Sequence, residues 1–249
     1  MDIQTETERQ IMKKIKYRND KITFETFLSG TPARDYVFQK TPYEEQIRLA
    51  SQMLQDAEYV LVGAGAGMSA AAGAQYGGTF FEENFGEFQK KYGKGPYMQD
   101  MYSAAFYPFE TTEERWGYWA KHIYHNRYQP EGLSLYRDLF YLVKDKDYFV
   151  ITTNVDGQFM KTGFAPERFF EVQGNYGEWQ CSVPCRQKVF DNEGAVMEML
   201  KEIKGLKIPT DLIPYCPHCG APMTMHLRVR AERRTCSSKP NPRGSPAHW

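Results

Sequence analysis

The sequence has no long apolar run. Among its 249 residues, no stretch approaches the roughly 18 consecutive apolar residues that a transmembrane helix requires. The N-terminal residues 1–8 are mostly polar and lack the apolar core of a secretory signal peptide. We therefore expect a protein that works in the cytoplasm and without a membrane.

The chain also has no excess of charge of either sign. Its 31 Lys and Arg residues are balanced by 31 Asp and Glu residues, so the formal net charge at pH 7 is zero. A general attraction to polyanions needs an excess of basic charge. We therefore expect no nucleic-acid partner.

Cysteine is scarce, and four of the five cysteines stand in two short pairs. Cys181 and Cys185 form the first pair, and Cys216 and Cys219 form the second, in a Cys-Pro-His-Cys-Gly turn typical of zinc knuckles. In the cytosol, clustered cysteines hold metal more often than they form disulfides. The pairs predict a structural zinc site with four thiolate ligands, and four unligated buried cysteines are the alternative. Cys236 is assigned no role.

Three short apolar segments, separated by helical patterns, predict strands at residues 59–62, 148–152 and 168–172. Strands that alternate with helices favour a parallel sheet in an α/β fold, with helices on both of its faces. Residues 76–110 are rich in Tyr, Phe and Gly without a clear period. This segment predicts a long ordered loop or short helices packed over a cleft.

A glycine-rich turn, residues 63–67, follows the first predicted strand and precedes a helical segment at 68–72. Backbone N–H groups at a helix N-terminus favour a bound phosphate. The turn fits only the alanine variant of the dinucleotide fingerprint, through Gly65, Gly67 and Ala70, and no strand ending in Asp or Glu follows about 20 residues on. An ordinary nicotinamide dehydrogenase is therefore disfavoured. A tight structural turn is the alternative.

The order of motifs along residues 41–228 resembles that of the sirtuins. The motifs are the turn 65–69 with Gly73, the strand end 151–156, the dipeptide of Gln173 and Gly174, and the two cysteine pairs. This resemblance implies a Rossmann-like parallel sheet with a small zinc-binding module. It also implies that NAD binds between them as a substrate that is consumed.

The resemblance further implies which residues contact NAD. Those matched to pyrophosphate binding are Gly65, Ala66, Gly67 and Ser69, and Gly73 is matched to cofactor binding nearby. Those matched to the nicotinamide and its ribose are Asn154, Asp156 and Gln173. Breaking the nicotinamide bond needs an anion or dipole near an oxocarbenium-like ribose, which Asp156 can supply at the carboxyl end of a strand. The alternative for Asn154 and Asp156 is an Asx turn that ends the strand.

Gln173 departs from the common sirtuin pattern, because it replaces the histidine that acts as general base in the deacylases. Glutamine can hydrogen-bond a ribose hydroxyl but cannot accept its proton. Together with residues 77–78, 100–109 and 173–181, it gives the chain a resemblance to the macrodomain-linked class M sirtuins of microbial pathogens. A further departure is Gly157, where a histidine is expected beside the aspartate.

Those sirtuins are similar to protein mono-ADP-ribosyltransferases that act on a lipoylated carrier protein of the glycine-cleavage H type. We therefore predict an NAD-dependent protein mono-ADP-ribosyltransferase, with that carrier and an ADP-ribose-binding macrodomain protein as partners. Two alternatives stay open. One is an NAD-dependent deacylase, which Gln173 disfavours, and the other is a catalytically silent remnant that binds NAD or ADP-ribose.

The chain divides into four predicted parts. They are an N-terminal helical extension (1–40), a Rossmann-like NAD-binding domain (41–175), a zinc-binding module (176–228) and an atypical tail (229–249). The tail has low hydrophobicity and three prolines, which predicts disorder. A dinucleotide-binding sheet needs about six strands, and only three main ones precede the tail. We therefore expect the sheet to be incomplete at its C-terminal end.

Overall fold

The computed structural model describes residues 42–183 and 185–228. The extension and the tail predicted from the sequence, and Cys236 with them, lie outside the described residues. The chain forms two compact units, which divide between Glu58 and Tyr59.

The described part of the first unit is one helix, α1 (Tyr43–Asp56). Glu44 and Glu45 lie in its first turn, where their negative charges interact favourably with the positive end of the helix dipole. Arg48 pairs with Glu45 at 2.8 Å. None of the helices in the described ranges has the length and apolarity that crossing a bilayer requires.

The second unit contains the remaining elements. Its helices are α2 (Ala66–Ala71), α3 (Gly78–Tyr92), α4 (Met101–Ala105), α5 (Thr112–Ile123), α6 (Ser134–Val143), α7 (Gln158–Lys161) and α8 (Glu193–Glu202). Its strands are β1 (Tyr59–Ala64), β2 (Asp147–Thr152), β3 (Phe169–Glu171), β4 (Gly174–Cys181), β5 (Val189–Asp191) and β6 (Met223–Leu227). A π-helical turn (Tyr124–Tyr128) continues α5, and 3-10 turns span Pro166–Arg168 and Thr210–Leu212.

Strands β1, β2 and β3 form a parallel sheet in that spatial order. Ala64, at the end of β1, lies beside Thr152, and Thr152 lies beside Glu171 in β3. The three strands lie within the segments predicted from the sequence or extend them by one or two residues. The prediction of an α/β fold with a Rossmann-like parallel sheet is therefore confirmed, and the carboxyl ends of the strands meet at one edge.

The two faces of this sheet differ in burial. Side chains of β2 alternate, and Tyr148 and Val150 are buried against α6 and α7. On the opposite face the exposed apolar side chains are Tyr59, Leu61, Phe149, Ile151 and Phe170. Within the described residues helices therefore cover one face of the sheet, whereas the sequence pattern predicted cover on both.

The aromatic segment at 76–110 is mostly helical. Phe81, Phe85 and Phe88 recur at spacings of four and three, which places them on one side of α3. All three are fully buried, and the rings of Phe81 and Phe85 stack at 5.1 Å. The sequence prediction allowed only a loop or short helices here. It was wrong about α3, because the apolar spacing is obscured by the glycines and aromatics around it.

A second, antiparallel sheet has the order β5-β4-β6. Helix α8 packs against α5 beside it, and Trp116 of α5 meets Trp179 of β4 at 5.0 Å. Strand β4 extends from Gly174 to Cys181, with a shift in its pairing to β6 between Asn175 and Trp179. This strand therefore joins the edge where β3 ends to the cysteine cluster.

Candidate functional site

The loops that follow β1 and β2 lie side by side at the carboxyl edge of the parallel sheet. The N–H of Thr153 donates to the carbonyl oxygen of Ala64 (3.1 Å), which holds the two strand ends together. The Asn154 side chain donates to the carbonyl of Gly65 in the glycine turn (3.0 Å). Residues 65–69 and 153–156, far apart in sequence, therefore form one site.

A buried hydrogen-bond network lies at the centre of this site. The Ser69 hydroxyl donates to Oδ2 of Asp156 (2.6 Å), across 87 residues of sequence. The Asn154 amide donates to Ser69 Oγ (3.2 Å) and to the Tyr136 hydroxyl (2.8 Å), which in turn lies 2.6 Å from Ser69 Oγ. All four residues are buried. The structure therefore brings together three predicted site residues and adds Tyr136, which the sequence did not single out.

Part of the Asx-turn alternative is also present. Oδ1 of Asp156 accepts the backbone N–H of Gln158 (3.1 Å), which is a local turn at the start of α7. The second carboxylate oxygen, however, is held by Ser69 of α2. A turn that only ended the strand would not need this distant partner. The Asp156 carboxylate therefore takes part both in the local turn and in the long-range network.

Burial raises the pKa of the Asp156 carboxyl above its ordinary value. The hydrogen bonds from Ser69 and from backbone N–H groups oppose this rise, as does the positive charge of Arg127, but they do not cancel it. Burial also raises the pKa of the Tyr136 hydroxyl to about 12. Tyr136 is therefore a neutral hydrogen-bonding group at physiological pH, and Asp156 is the group of the network that can change charge.

Arg127, in the π-helical turn, is a second residue of the site that no motif predicts. Its guanidinium lies against the backbone of Gly157 and of Gly177, where an added Cβ at either glycine would overlap it. Gly157 also has a φ of +70°, a conformation that favours glycine. The resemblance predicted a histidine at 157. The chain has no space for one, because the arginine occupies it.

The charge of Arg127 acts on two buried carboxyl groups. Burial raises the pKa values of Asp156 and Glu171, and the nearby guanidinium lowers both in part. Nη1 of Arg127 is buried and has no hydrogen-bond partner among the described residues. The absence of a side chain at 157 was the sequence signal that could have revealed this arginine.

The close approach of Arg127 to Gly177 predicts a large effect of one methyl group. Gly177→Ala is expected to lower the free energy of unfolding by about 2 kcal/mol, because the methyl overlaps the guanidinium. In an Arg127→Ala background the same substitution should cost at least about 1 kcal/mol less. Denaturant unfolding of the four proteins measures this difference.

Gly194→Ala is the matched control, because an added Cβ there meets no atom within 4 Å and the residue lies in α8. It should leave stability unchanged or raise it slightly. If Gly177→Ala costs the same with and without Arg127, the arginine does not fill this space.

The other predicted residues lie around the network. Ala66 and Gly67 are exposed at the start of α2, and Gly73, with a φ of +99°, lines a cavity of about 210 Å³ that Asp156 also lines. Gln173 follows β3, is exposed, and lies outside the buried network. The N–H of Val172 donates to the carbonyl of Thr152 (2.8 Å), which keeps Gln173 at the same edge of the sheet.

The four predicted metal ligands form one cluster. Sγ of Cys181 lies 3.5 Å from Sγ of Cys219, Sγ of Cys185 lies 3.7 Å from Sγ of Cys216, and all four lie within 4.8 Å of one another. Sulfurs at the corners of a tetrahedron around zinc, with Zn–S bonds of about 2.3 Å, are about 3.8 Å apart. The cluster therefore fits a zinc ion.

The environment of the cluster favours a thiolate at one of the four cysteines. Backbone N–H groups of Cys219 and His218 lower the pKa of the Cys216 thiol to about 6, whereas burial raises the pKa of the Cys185 thiol to about 12. A thiolate is the form that ligates metal. The cysteines are free, and no disulfide joins them in the described residues.

Several solved sirtuin structures resemble the chain. A Sir2 homologue in complex with NAD is 18% identical and matches 72% of this chain and 60% of its own, with a TM-score of 0.49. Sir2Tm bound to a propionylated peptide is 20% identical and matches 73% of this chain and 63% of its own, with a TM-score of 0.46. No protein-family model matches the sequence.

Two curated proteins match at higher identity. A protein ADP-ribosyltransferase of Staphylococcus aureus (strain Mu50 / ATCC 700699) is 36% identical over 191 residues, which cover 76% of this chain and 58% of the relative. A probable bifunctional ADP-ribose hydrolase/ADP-ribosyltransferase of Fusarium oxysporum f. sp. cubense is 32% identical over 200 residues, which cover 77% of this chain and 32% of the relative. The chain thus spans less than two thirds of either relative. The chain is therefore similar to two proteins named for ADP-ribosyl transfer, and the order of motifs along its sequence resembles that of the sirtuins.

Proposed function

We propose that the chain is a sirtuin-type, NAD-dependent protein mono-ADP-ribosyltransferase. The observation that carries the proposal is the buried Asp156 carboxylate, held by Ser69 and flanked by Asn154 where two neighbouring parallel strands end. Ligands of open α/β sheets bind at the carboxyl ends of the strands. The names of the two curated relatives support transfer of ADP-ribose as the reaction.

The glycine turn suits the pyrophosphate of NAD. Ala66 and Gly67 are exposed and small, and they begin α2, where the first backbone N–H groups have no partner within the helix. Those N–H groups favour an anion. The carbonyl of Gly65 is held by Asn154, so the turn is fixed relative to the catalytic residues.

Asp156 is suited to stabilise the transition state of bond cleavage. When the bond between nicotinamide and C1′ of the ribose breaks, its electron pair leaves with neutral nicotinamide and C1′ gains positive charge. A fixed carboxylate in a buried site stabilises such charge far more strongly than it would in water. An acceptor nucleophile then bonds to C1′ and releases its proton. Ser69 and Asn154 keep the carboxylate oriented throughout.

Gln173 favours transfer over deacylation. It lies exposed at the edge where β3 ends, and glutamine can hold a ribose hydroxyl by hydrogen bonds. It cannot remove a proton from that hydroxyl, which the deacylase reaction requires of its histidine. An acceptor that brings its own nucleophile does not need this base.

The proposed acceptor is a lipoylated carrier protein of the glycine-cleavage H type. The class M resemblance of the sequence supports this acceptor, and it also supports a macrodomain protein that binds ADP-ribose as a second partner. The name of the Fusarium relative combines an ADP-ribose hydrolase with an ADP-ribosyltransferase in one protein. That combination supports a partner that recognises or removes the attached ADP-ribose.

A labelling experiment tests the proposal. The full chain is incubated with NAD labelled in its adenylate and with the carrier in lipoylated and unlipoylated forms. We expect label on the lipoylated carrier only, with one nicotinamide released per ADP-ribose attached. Release of acyl groups from an acylated peptide would instead support a deacylase. Binding of NAD without any cleavage would support a silent remnant.

A further inference from the structure

The cavity beside Asp156 contains a polar side chain that the proposed mechanism does not use. The residues that form its apolar and aromatic wall include Tyr76, Phe80, Pro130 and Leu133, and its polar groups include Asp156 and Gln158. A cavity of about 210 Å³ with such walls suits one planar ring.

Gln158 is only 1% exposed. Its Oε1 accepts the backbone N–H of Leu133 (2.9 Å), and this contact fixes which end of the amide is oxygen. Nε2 is therefore the free end, and it is buried with no hydrogen-bond partner among the described residues. Buried donors in proteins are nearly always paired, so this one indicates an acceptor that a ligand supplies.

Gln158 and Asp156 place a donor and an acceptor next to each other. The backbone N–H of Gln158 donates to Oδ1 of Asp156 (3.1 Å), and both residues line the same cavity. A primary carboxamide has a carbonyl oxygen that accepts and an NH₂ group that donates. It therefore matches this pair, whereas a carboxylate would bring a second negative charge to Asp156 and no N–H.

We infer that Gln158 is a specificity-determining residue, which donates through Nε2 to the carbonyl oxygen of a carboxamide on a planar ring while Asp156 accepts from the carboxamide NH₂. The inference rests on the proposed function, in which that ring is the nicotinamide of NAD. It assigns the discrimination between an amide and an acid on the ring to a side chain outside the sirtuin motifs.

The test compares two ligands that differ by the ring. Carba-NAD, whose carbocyclic ribose resists cleavage, contains nicotinamide, and ADP-ribose lacks it. Calorimetric titration of the full chain carrying Gln158→Leu should show carba-NAD binding at least tenfold weaker, which corresponds to about 1.4 kcal/mol. ADP-ribose affinity should stay within twofold. Gln158→Glu, which keeps the acceptor for Leu133 but removes the donor, should give the same pattern.

Gln89→Leu is the matched control, since Gln89 is also buried but donates to Met98 in a different region. It should leave the ratio of the two affinities unchanged. If the Gln158 variants alter neither affinity, or weaken both equally, the inference is overturned. If the unmodified chain binds neither carba-NAD nor ADP-ribose, the proposed function itself fails.

Discussion

Asp156→Asn is expected to slow NAD cleavage by about a hundredfold or more, because in the proposed mechanism it removes the charge that faces the developing positive charge at C1′. Asparagine has nearly the same shape, and its side-chain oxygen can still accept the N–H of Gln158 or the hydroxyl of Ser69. The loss should therefore appear in the rate at saturating NAD more than in NAD affinity. Release of nicotinamide, followed by chromatography, measures it.

The pH profile gives the same prediction a second readout. Burial raises the pKa of Asp156, so the carboxylate is lost as pH falls through a value above that of an ordinary aspartate, which is about 3.9. Activity that needs the carboxylate is present at higher pH and disappears on this acid limb. Asparagine does not titrate, so the variant should lose the limb along with the rate. The ionisable groups that act on or face this carboxylate are Arg127, Lys161, Glu171, Tyr76, Tyr102, Tyr136 and Tyr176.

Asp138→Asn provides the control for this experiment. Asp138 is an exposed aspartate of α6, and its replacement should leave both the rate and the acid limb unchanged. An Asp156→Asn protein that keeps more than a tenth of the original rate would show that another group stabilises the positive charge.

The parts of the site that the sequence predicted are those encoded in short segments. The glycine turn, the strand end with Asn154 and Asp156, and the cysteine pairs each depend on neighbouring residues, so local pattern and spacing identify them. Their meeting at one edge follows from the parallel sheet, since the carboxyl ends of its strands lie together. The roles of these residues toward NAD stay predictions.

Tyr136 and Gln158 could not be identified in this way, because tertiary packing alone gives them partners, and for Arg127 the sequence offers only the indirect signal of a glycine at 157. Tyr136 looks like any buried aromatic of an amphipathic helix until its hydroxyl is seen against Ser69 and Asn154. Arg127 looks like a surface charge, although the two glycines that admit it are 30 and 50 residues away. Gln158 shows its meaning only through the partner that its Nε2 lacks.

For the histidines of α5 and its π-helical extension, the sequence favours a solvated or packed pair over a metal site, because no third ligand follows nearby. His122 and His125, three residues apart, have a spacing at which a metal can bind. In the structure both ring nitrogens of His122 are instead occupied by the hydroxyls of Tyr118 (3.1 Å) and Tyr176 (3.0 Å). Burial lowers the pKa of His122 to about 3, so it is a neutral core residue.

Cys216→Ser is expected to remove zinc from the chain and to lower the melting temperature by roughly 10 °C or more, because a four-ligand structural site stabilises the segments that it joins. The cluster connects the end of β4 to the turn before β6, which are otherwise joined by strand pairing such as that of Cys181 with Met223. Atomic absorption should find one zinc per chain in the unmodified protein and much less in the variant. Cys236→Ser, which changes the cysteine assigned no role, should keep its zinc.

The loss of zinc should also weaken the proposed NAD site, because β4 connects the cysteine cluster to that site. At one end of β4 is Cys181, and near the other the N–H of Tyr176 donates to the carbonyl of Val155 (3.0 Å), between Asn154 and Asp156. Gly177, which admits Arg127, lies on the same strand. A frayed β4 would therefore loosen the loop that carries the Asp156 carboxylate, and ADP-ribose affinity should fall with zinc content when a chelator is titrated. If the affinity stays constant in the metal-free protein, the cluster stabilises only its own sheet.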